Sequence, residues 1–423
     1  MPHFDTLHRH DTAAAPPFRA EPGFELGWDY AHYGCVPPAE HLHPLSTVRQ
    51  GWEAGRECFG RRMLQADRFV RKWLTLRLNA WLRGRAFEDT QVNPAFLRRI
   101  DVTVCPITRE LLTHGTGGPS DASVDRVFND AGYAAGNLAV MSTRANRAKG
   151  AHGVDEAMAF ATQAEAAPPR VVAGLKATQP GEIAGMTAAQ AGEIAGLTAA
   201  QWARVAVLMS FVTPMAHARV AAMPLLVLPP NRLRVLNPVQ SLQVLLSLQF
   251  TAGGHARRCA ALAALMPSAE ARYAFNAFMH TLLARRLAVG RLTDARAERH
   301  AVEDLWRDPL VYRRWQRLSH GLTAADCDRI GRAAADRGLA GRGVRWLTDD
   351  AATEGWALAT RGYLGADHAG TARPLPSPAP LPTAAAPAFA ERRRSAPDLA
   401  DRRAGECTSP RLQTSSASAP PSP

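Results

Sequence analysis

The sequence predicts a mainly α fold: a helical scaffold with one small inserted ββα unit and a disordered C-terminal tail. Three observations carry that expectation. Between Thr47 and Gly362 most of the chain repeats its apolar residues at three- and four-residue steps, the period of an amphipathic helix. One stretch, Ser123–Gly150 (SVDRVFNDAGYAAGNLAVMSTRANRAKG), interrupts that period with strand and turn chemistry. From about Ala366 to Pro423, Pro, Ala, Ser and Thr dominate, and such a segment buries too little apolar surface to order itself.

Bulk properties set the frame. A chain of 423 residues exceeds a typical single domain, so two folded regions plus tails are expected. Hydrophobic residues at 46% suffice for a core, and charged residues at 21% are ordinary for a soluble protein. The net charge of +12, carried mainly by arginine, favours phosphate-rich or acidic partners. A high-GC genome enriches arginine as well, so both readings stand. Six cysteines lie scattered without paired spacing, which suits a reducing compartment and argues against a disulfide framework. Met1–Glu21 lacks the apolar core of a signal peptide. Val205–Leu228 is interrupted by Pro214, His217, Arg219 and Pro224, short of the roughly 20 apolar residues a membrane helix requires. The expectation is a cytoplasmic protein with no membrane partner.

Residues 1–45 read as an irregular arm, its histidines too irregularly spaced for a metal site. Residues 46–165 hold a long helix and then the ββα unit. The helix is expected from Thr47 to about Arg85, with Val48, Trp52, Phe59, Met63, Phe69, Trp73 and Trp81 on its apolar face. Its other face carries Arg49, Arg56, Arg61, Arg62, Arg68, Arg71, Lys72, Arg77, Arg83 and Arg85, either a solvated surface or one that tracks a phosphate backbone. Leu97–Val104 reads as a strand leading into the Cys105-Pro106 turn. Ser123–Val127 alternates polar and apolar residues, Asn129–Gly132 is a turn, and Leu138–Met141 is a second β-prone run. Ser142 then caps a short helix, Thr143–Lys149, ended by Gly150, and Val154–Glu165 reads as one more helix.

Residues 166–197 read as a linker containing an 11-residue duplication, GEIAGMTAAQA (Gly181–Ala191) followed by GEIAGLTAAQW (Gly192–Trp202). Residues 198–365 read as an α-helical domain. Its expected helices are Ala199–Val212, Pro238–Phe250, His255–Leu265, Ser268–Val289, Ala295–Trp306, Pro309–Leu318, Ala324–Arg337 and Thr353–Arg361. That domain either packs around the hairpin or stands as a separate module. Residues 366–423 are the disordered tail.

The pattern Asp125-Arg126-Val127, then Gly132-Tyr133, Gly136-Asn137-Leu138 and Ser142-Thr143-Arg144-Ala145-Asn146-Arg147-Ala148-Lys149-Gly150 resembles the HNH (ββα-metal) nuclease module. It is closest to the variant of phage and mobile-element proteins in which Asp-Arg stands where others have Asp-His. The similarity covers roughly Val104 to Gly150, about a tenth of the chain. The resemblance implies that Asp125 and Asn146 ligate a divalent cation, Mg²⁺ or Mn²⁺, and that Asn137 braces the loop holding the position after Asp125. That position is normally a histidine that activates water, and here it is Arg126. Arginine stays protonated at neutral pH, so it cannot be a general base, although its planar fork suits a phosphate. Either another group activates the water (metal-bound hydroxide, His114 or His152), or the module binds nucleic acid without cutting. Arg126, Arg144, Arg147 and Lys149 are the candidate phosphate contacts.

Many such modules are clamped by a zinc held between two CxxC knuckles. Here Cys105-Pro106-Ile107-Thr108 offers one cysteine where a tetrahedral site needs four ligands, so no structural zinc is expected. The sequence therefore supports a divalent-metal-dependent endonuclease of HNH type acting on DNA, or on RNA. The alternative is a catalytically silent HNH-fold protein that binds nucleic acid, or a helical interaction protein.

Overall fold

The arginine-bearing segment near the N-terminus is not one helix. A computed structural model, which describes residues 21–167, 192–250, 254–292, 294–339 and 347–364, divides it in two. Helix α2 spans Thr47–Phe59, capped by Ser46, and α3 spans Arg68–Leu82, where the Asp67 carboxylate accepts from the amides of Phe69 and Val70. Gly60 at φ 50°, a left-handed value open to glycine, turns the chain out of α2. The apolar period runs across the break, but a breaker and a new cap outrank it.

The second half of the expected arm is ordered too. Helix α1, Pro22–His32, begins with the Glu21 carboxylate accepting from Phe24 N and with proline in the first turn. It lies against α2 through glycines: a Cβ on Gly27 would collide with the Val48 carbonyl, and one on Gly51 with the Phe24 carbonyl. Residues 1–20 of the arm lie outside the described residues. The strand expected over 97–104 is instead helix α4, Pro94–Ile100, because Asn93 caps Phe96 N and Pro94 pre-sets the first turn.

The hairpin forms as its alternation predicts. Strand β1, Ala122–Arg126, pairs antiparallel with β2, Leu138–Ser142, and Asp125 lies opposite Ala139. Helix α5, Thr143–Lys149, follows at once, with Ser142 Oγ accepting from Ala145 N and Gly150 closing it. Helix α6 is Val154–Ala166.

Of the duplication, the first copy lies outside the described residues. The second opens as a two-residue hairpin, β3 (Glu193–Ile194) with β4 (Leu197–Thr198). It runs on into α7, Ala199–Val212, through a Thr198–Gln201 capping box. There follow α8 (His217–Ala221), α9 (Pro238–Ser247), α10 (His255–Ala263), α11 (Ala269–Ala288), α12 (Ala295–Leu305), α13 (Pro309–His320), α14 (Ala324–Asp336) and α15 (Asp349–Thr353). The helix expected over Thr353–Arg361 is absent. Asp349-Asp350 start α15 earlier behind the Thr348 cap, and Gly355 at φ 74° ends the run. The tail from 366 lies outside the described residues.

The hairpin sits where two hydrophobic cores meet. Along β2, Leu138 and Val140 belong to the core made with α1, α3 and α4. Ala139 and Met141, on the opposite face, belong to the larger core with Val205, Phe211, Trp202 and Trp356. β2 is therefore buried on both faces, and the larger core crosses the boundary drawn between residues 165 and 198. Among the described residues, no helix is long and apolar enough to cross a membrane.

Candidate functional site

The site is built on the alternation of β1. Val124 packs towards the smaller core, so Ser123 and Asp125 project from the other face, over α5. Asn146, on α5, donates from Nδ2 to Ser123 Oγ at 2.7 Å. One turn later Lys149 reaches back under the strand. Its side chain is fully enclosed, and Nζ lies 3.0 Å from Asp125 Oδ2, 3.0 Å from the Arg126 carbonyl and 2.9 Å from Asn129 Oδ1. The ammonium thus has three oxygens around it and donates to two of them, the Arg126 carbonyl and Asn129 Oδ1. Its approach to Asp125 is ionic, without an aligned hydrogen bond to Oδ2. Burial pushes the Asp125 carboxyl above the ordinary carboxylate range, and the Lys149 charge pulls against that shift.

Arg126 turns inward. Its Nη1 donates to the carbonyls of Asn129 (2.9 Å) and Ala131 (2.8 Å), and its guanidinium lies 5.2 Å from the Tyr133 ring centroid. The side chain at the position where a water-activating residue was expected therefore holds the loop between the strands. Asn137, fully buried, holds the same loop: its Oδ1 accepts from Phe128 N at 2.8 Å, and its Nδ2 donates to the carbonyls of Phe128 and Gly132, both at 3.1 Å.

Of the four residues named as phosphate contacts, the structure leaves one in the open. Lys149 is enclosed, Arg126 is engaged, and Arg144 forms an ion pair with Glu110. Arg147 is exposed. Neither candidate base faces Asp125. The His152 ring meets Phe160 and Trp202 at their edges and sets Nδ1 3.1 Å from Glu156, whereas His114 lies exposed in the loop before β1. That glycine-rich loop is gathered by Asp121, whose carboxylate accepts from Thr113 Oγ1, Thr116 Oγ1 and Gly117 N, contacts that hold it below the usual carboxylate range.

A divalent cation does not fit this donor set. A cation on Asp125 would stand beside a buried ammonium already neutralising that carboxylate, and like charges at such a distance repel strongly in a low-dielectric interior. Asn146 adds only a neutral amide, and among the described residues no three His, Cys, Asp or Glu side chains converge on one point.

The Cys105 knuckle is closed by hydrogen bonds. The enclosed Sγ accepts from Thr108 N at 3.4 Å and Ser142 N at 3.3 Å, and lies 3.5 Å from Ser142 Oγ, tying the knuckle to the start of α5. Arg109, at φ 61°, carries the turn onward to Asp304 (2.7 Å) and to the buried Glu303 (3.1 Å).

Sequence reasoning missed Asn129 as a partner of Lys149 and missed Trp356. The Trp356 indole, fully buried, donates to the Ala135 carbonyl at 3.0 Å, and its own carbonyl accepts from Gly132 N at 2.8 Å. Asn129 announced itself only as a turn residue, and Trp356 only as an aromatic some 220 residues away. Three arginines of the run near the N-terminus are ion-paired, Arg49 with Glu53, Arg68 with Asp101 and Arg77 with Asp29, and Arg98 beyond it pairs with Asp67. A cleft of about 260 Å³ beside Trp28, Trp73, Arg77 and Asp89 takes no lining from the hairpin.

No protein-family model, no curated protein and no solved structure matches the chain.

Proposed function

We propose that the chain is a nucleic-acid-binding protein whose HNH-like ββα unit is a fixed structural joint and does not hydrolyse phosphodiesters. One observation carries the reading. The Lys149 ammonium fills the space beside Asp125 that a catalytic cation would need, hydrogen-bonded to the Arg126 carbonyl and Asn129 Oδ1 and 3.0 Å from Asp125 Oδ2. Arg126 supports it, since a guanidinium cannot accept a proton and this one is held by Nη1 to two loop carbonyls. What recommends nucleic acid as the partner is charge. The chain carries +12 overall, and among the described residues several exposed arginines, Arg61, Arg62 and Arg313 among them, have no acidic partner.

The test combines binding and cleavage. Labelled duplex and single-stranded DNA should bind with an affinity that falls as salt rises, equally in EDTA and in Mg²⁺ or Mn²⁺, and both strands should stay intact. Cutting that requires the divalent cation and disappears in Asp125→Asn would overturn the proposal in favour of a metal-dependent endonuclease.

A further inference from the structure

We propose that the seam between α11 and α13 is a platform for single-stranded nucleic acid, with Tyr273 as the ring on which a base stacks. The inference rests on the nucleic-acid reading above and gives it a place and a strand preference.

The two helices run antiparallel: Arg285 late in α11 pairs with Asp308 at the start of α13 at 2.8 Å, and Tyr273 early in α11 meets Arg317 late in α13. Their apolar sides are committed, since Phe278 packs on Trp306 and Trp315 in the core. Their outer sides carry an unusual set. Tyr273 is 64% exposed, and the Arg317 guanidinium lies 5.9 Å from its ring centroid. His280, two turns along α11, shares that face and is exposed. Arg313, one turn before Arg317, is exposed as well.

The outer face of the seam around Tyr273 carries little counter-charge. Arg272, Arg313, Arg314 and Arg317 form no ion pair among the described residues, while Arg285, at the far end of the seam, is held by Asp308. Helix α13 contains no acidic residue, and Glu270 is the one acid within α11. Exposed cations without acids attract a polyanion. An exposed aromatic ring held beside a guanidinium adds a surface for a base face, which a duplex keeps stacked inside but a single strand presents.

The experiment uses the full chain, a fluorescein-labelled 20-nucleotide oligo-dT and a 20-base-pair duplex, both read by anisotropy. Tyr273→Ala should weaken oligo-dT binding about tenfold, Tyr273→Phe should retain it, and duplex binding should change less than about twofold. Arg313→Glu with Arg317→Glu should flatten the salt dependence by roughly two phosphate contacts, while Arg61→Glu with Arg62→Glu should not. All these side chains are exposed, so the variants should keep the wild-type circular dichroism. If the wild type binds DNA but Tyr273→Ala binds oligo-dT as well as the wild type, the platform is overturned and the general reading survives. Loss through the arginine pair alone, equal for both strand forms, would make the seam a duplex backbone contact and also overturn it. No binding of either DNA at low salt would remove the general reading itself.

Discussion

Lys149 and Asp125 form an ion pair across the hairpin, Nζ to Oδ2 3.0 Å, with the lysine fully enclosed. Pairs of this kind gain little over an apolar replacement of both partners, but breaking one by removing a single partner strands a buried charge. Lys149→Met should therefore lower the unfolding free energy by about 3–5 kcal/mol. Asp125→Asn together with Lys149→Met should lose less than the sum of the single changes. Urea denaturation of the four proteins measures the coupling, and strict additivity would deny it.

The same pair sets a pH dependence whose sign can be worked out. Burial holds Asp125 above its unfolded pKa, so in the window between the two values the folded state binds the proton more tightly. Stability contributed by that proton is full below the unfolded pKa and is lost as pH rises through the folded pKa. Without Lys149 to pull it down, the folded pKa rises further and the window widens. The deficit of Lys149→Met against wild type should consequently be smallest towards the unfolded carboxyl pKa and grow as pH rises above it. A deficit independent of pH would mean that Asp125 does not titrate in this setting.

Placing at position 126 the histidine usual in HNH modules should not confer cleavage. Arg126→His removes the donor to the carbonyls of Asn129 and Ala131 and leaves the Lys149–Asp125 pair in place. The expected outcome is a loss of about 1–3 kcal/mol, because two loop carbonyls lose their partner, and no nicking of plasmid DNA with Mg²⁺ or Mn²⁺. Nicking by this variant above the wild-type level would show that the lysine yields to a cation.

Asn137, itself fully buried, closes the loop with three hydrogen bonds to backbone atoms. Asn137→Ala leaves Phe128 N, Phe128 O and Gly132 O without that partner and should cost about 2–4 kcal/mol. The urea midpoint should fall with an unchanged slope, since the same surface is exposed on unfolding. A midpoint within error of wild type would mean that water takes over the loop.

These residues show what the sequence could and could not disclose. Alternation over Ser123–Val127, the Ser142 cap and Gly150 fixed a ββα unit because each is a local preference, and the helical period placed α7, α9, α11 and α13 for the same reason. Local chemistry was also present where the reading went astray: Asn93-Pro94 is a helix start, and Gly60 with Asp67 is a stop and a start. An apolar period carried over those positions hid them. Asp125, Asn137 and Asn146 could be picked out as polar residues converging across the hairpin, but the partners they take could not. That Lys149 points inward is a matter of which faces are covered, and β2 is covered on both sides by helices from distant parts of the chain. Lysine in a short basic helix reads as surface until its neighbours are known.

Glycine spacing is the other message that only packing decodes. Gly23 and Gly27 on α1 recur at four residues, as do Gly51 and Gly55 on α2, so each helix offers a bare stripe to the other. Gly51→Ala would place a methyl group against the Phe24 carbonyl, a backbone atom that cannot swing aside. Parting the helices should cost about 1–3 kcal/mol and expose the 33–46 connection to protease. Gly60→Ala is the matched control: its φ is positive but nothing lies within 4 Å of the added carbon, so only backbone strain is expected, about 1 kcal/mol. Thermal melts and limited proteolysis of the two variants separate the causes. If Gly51→Ala melts with Gly60→Ala and is cut no faster, close backbone contact is not what holds α1 in place.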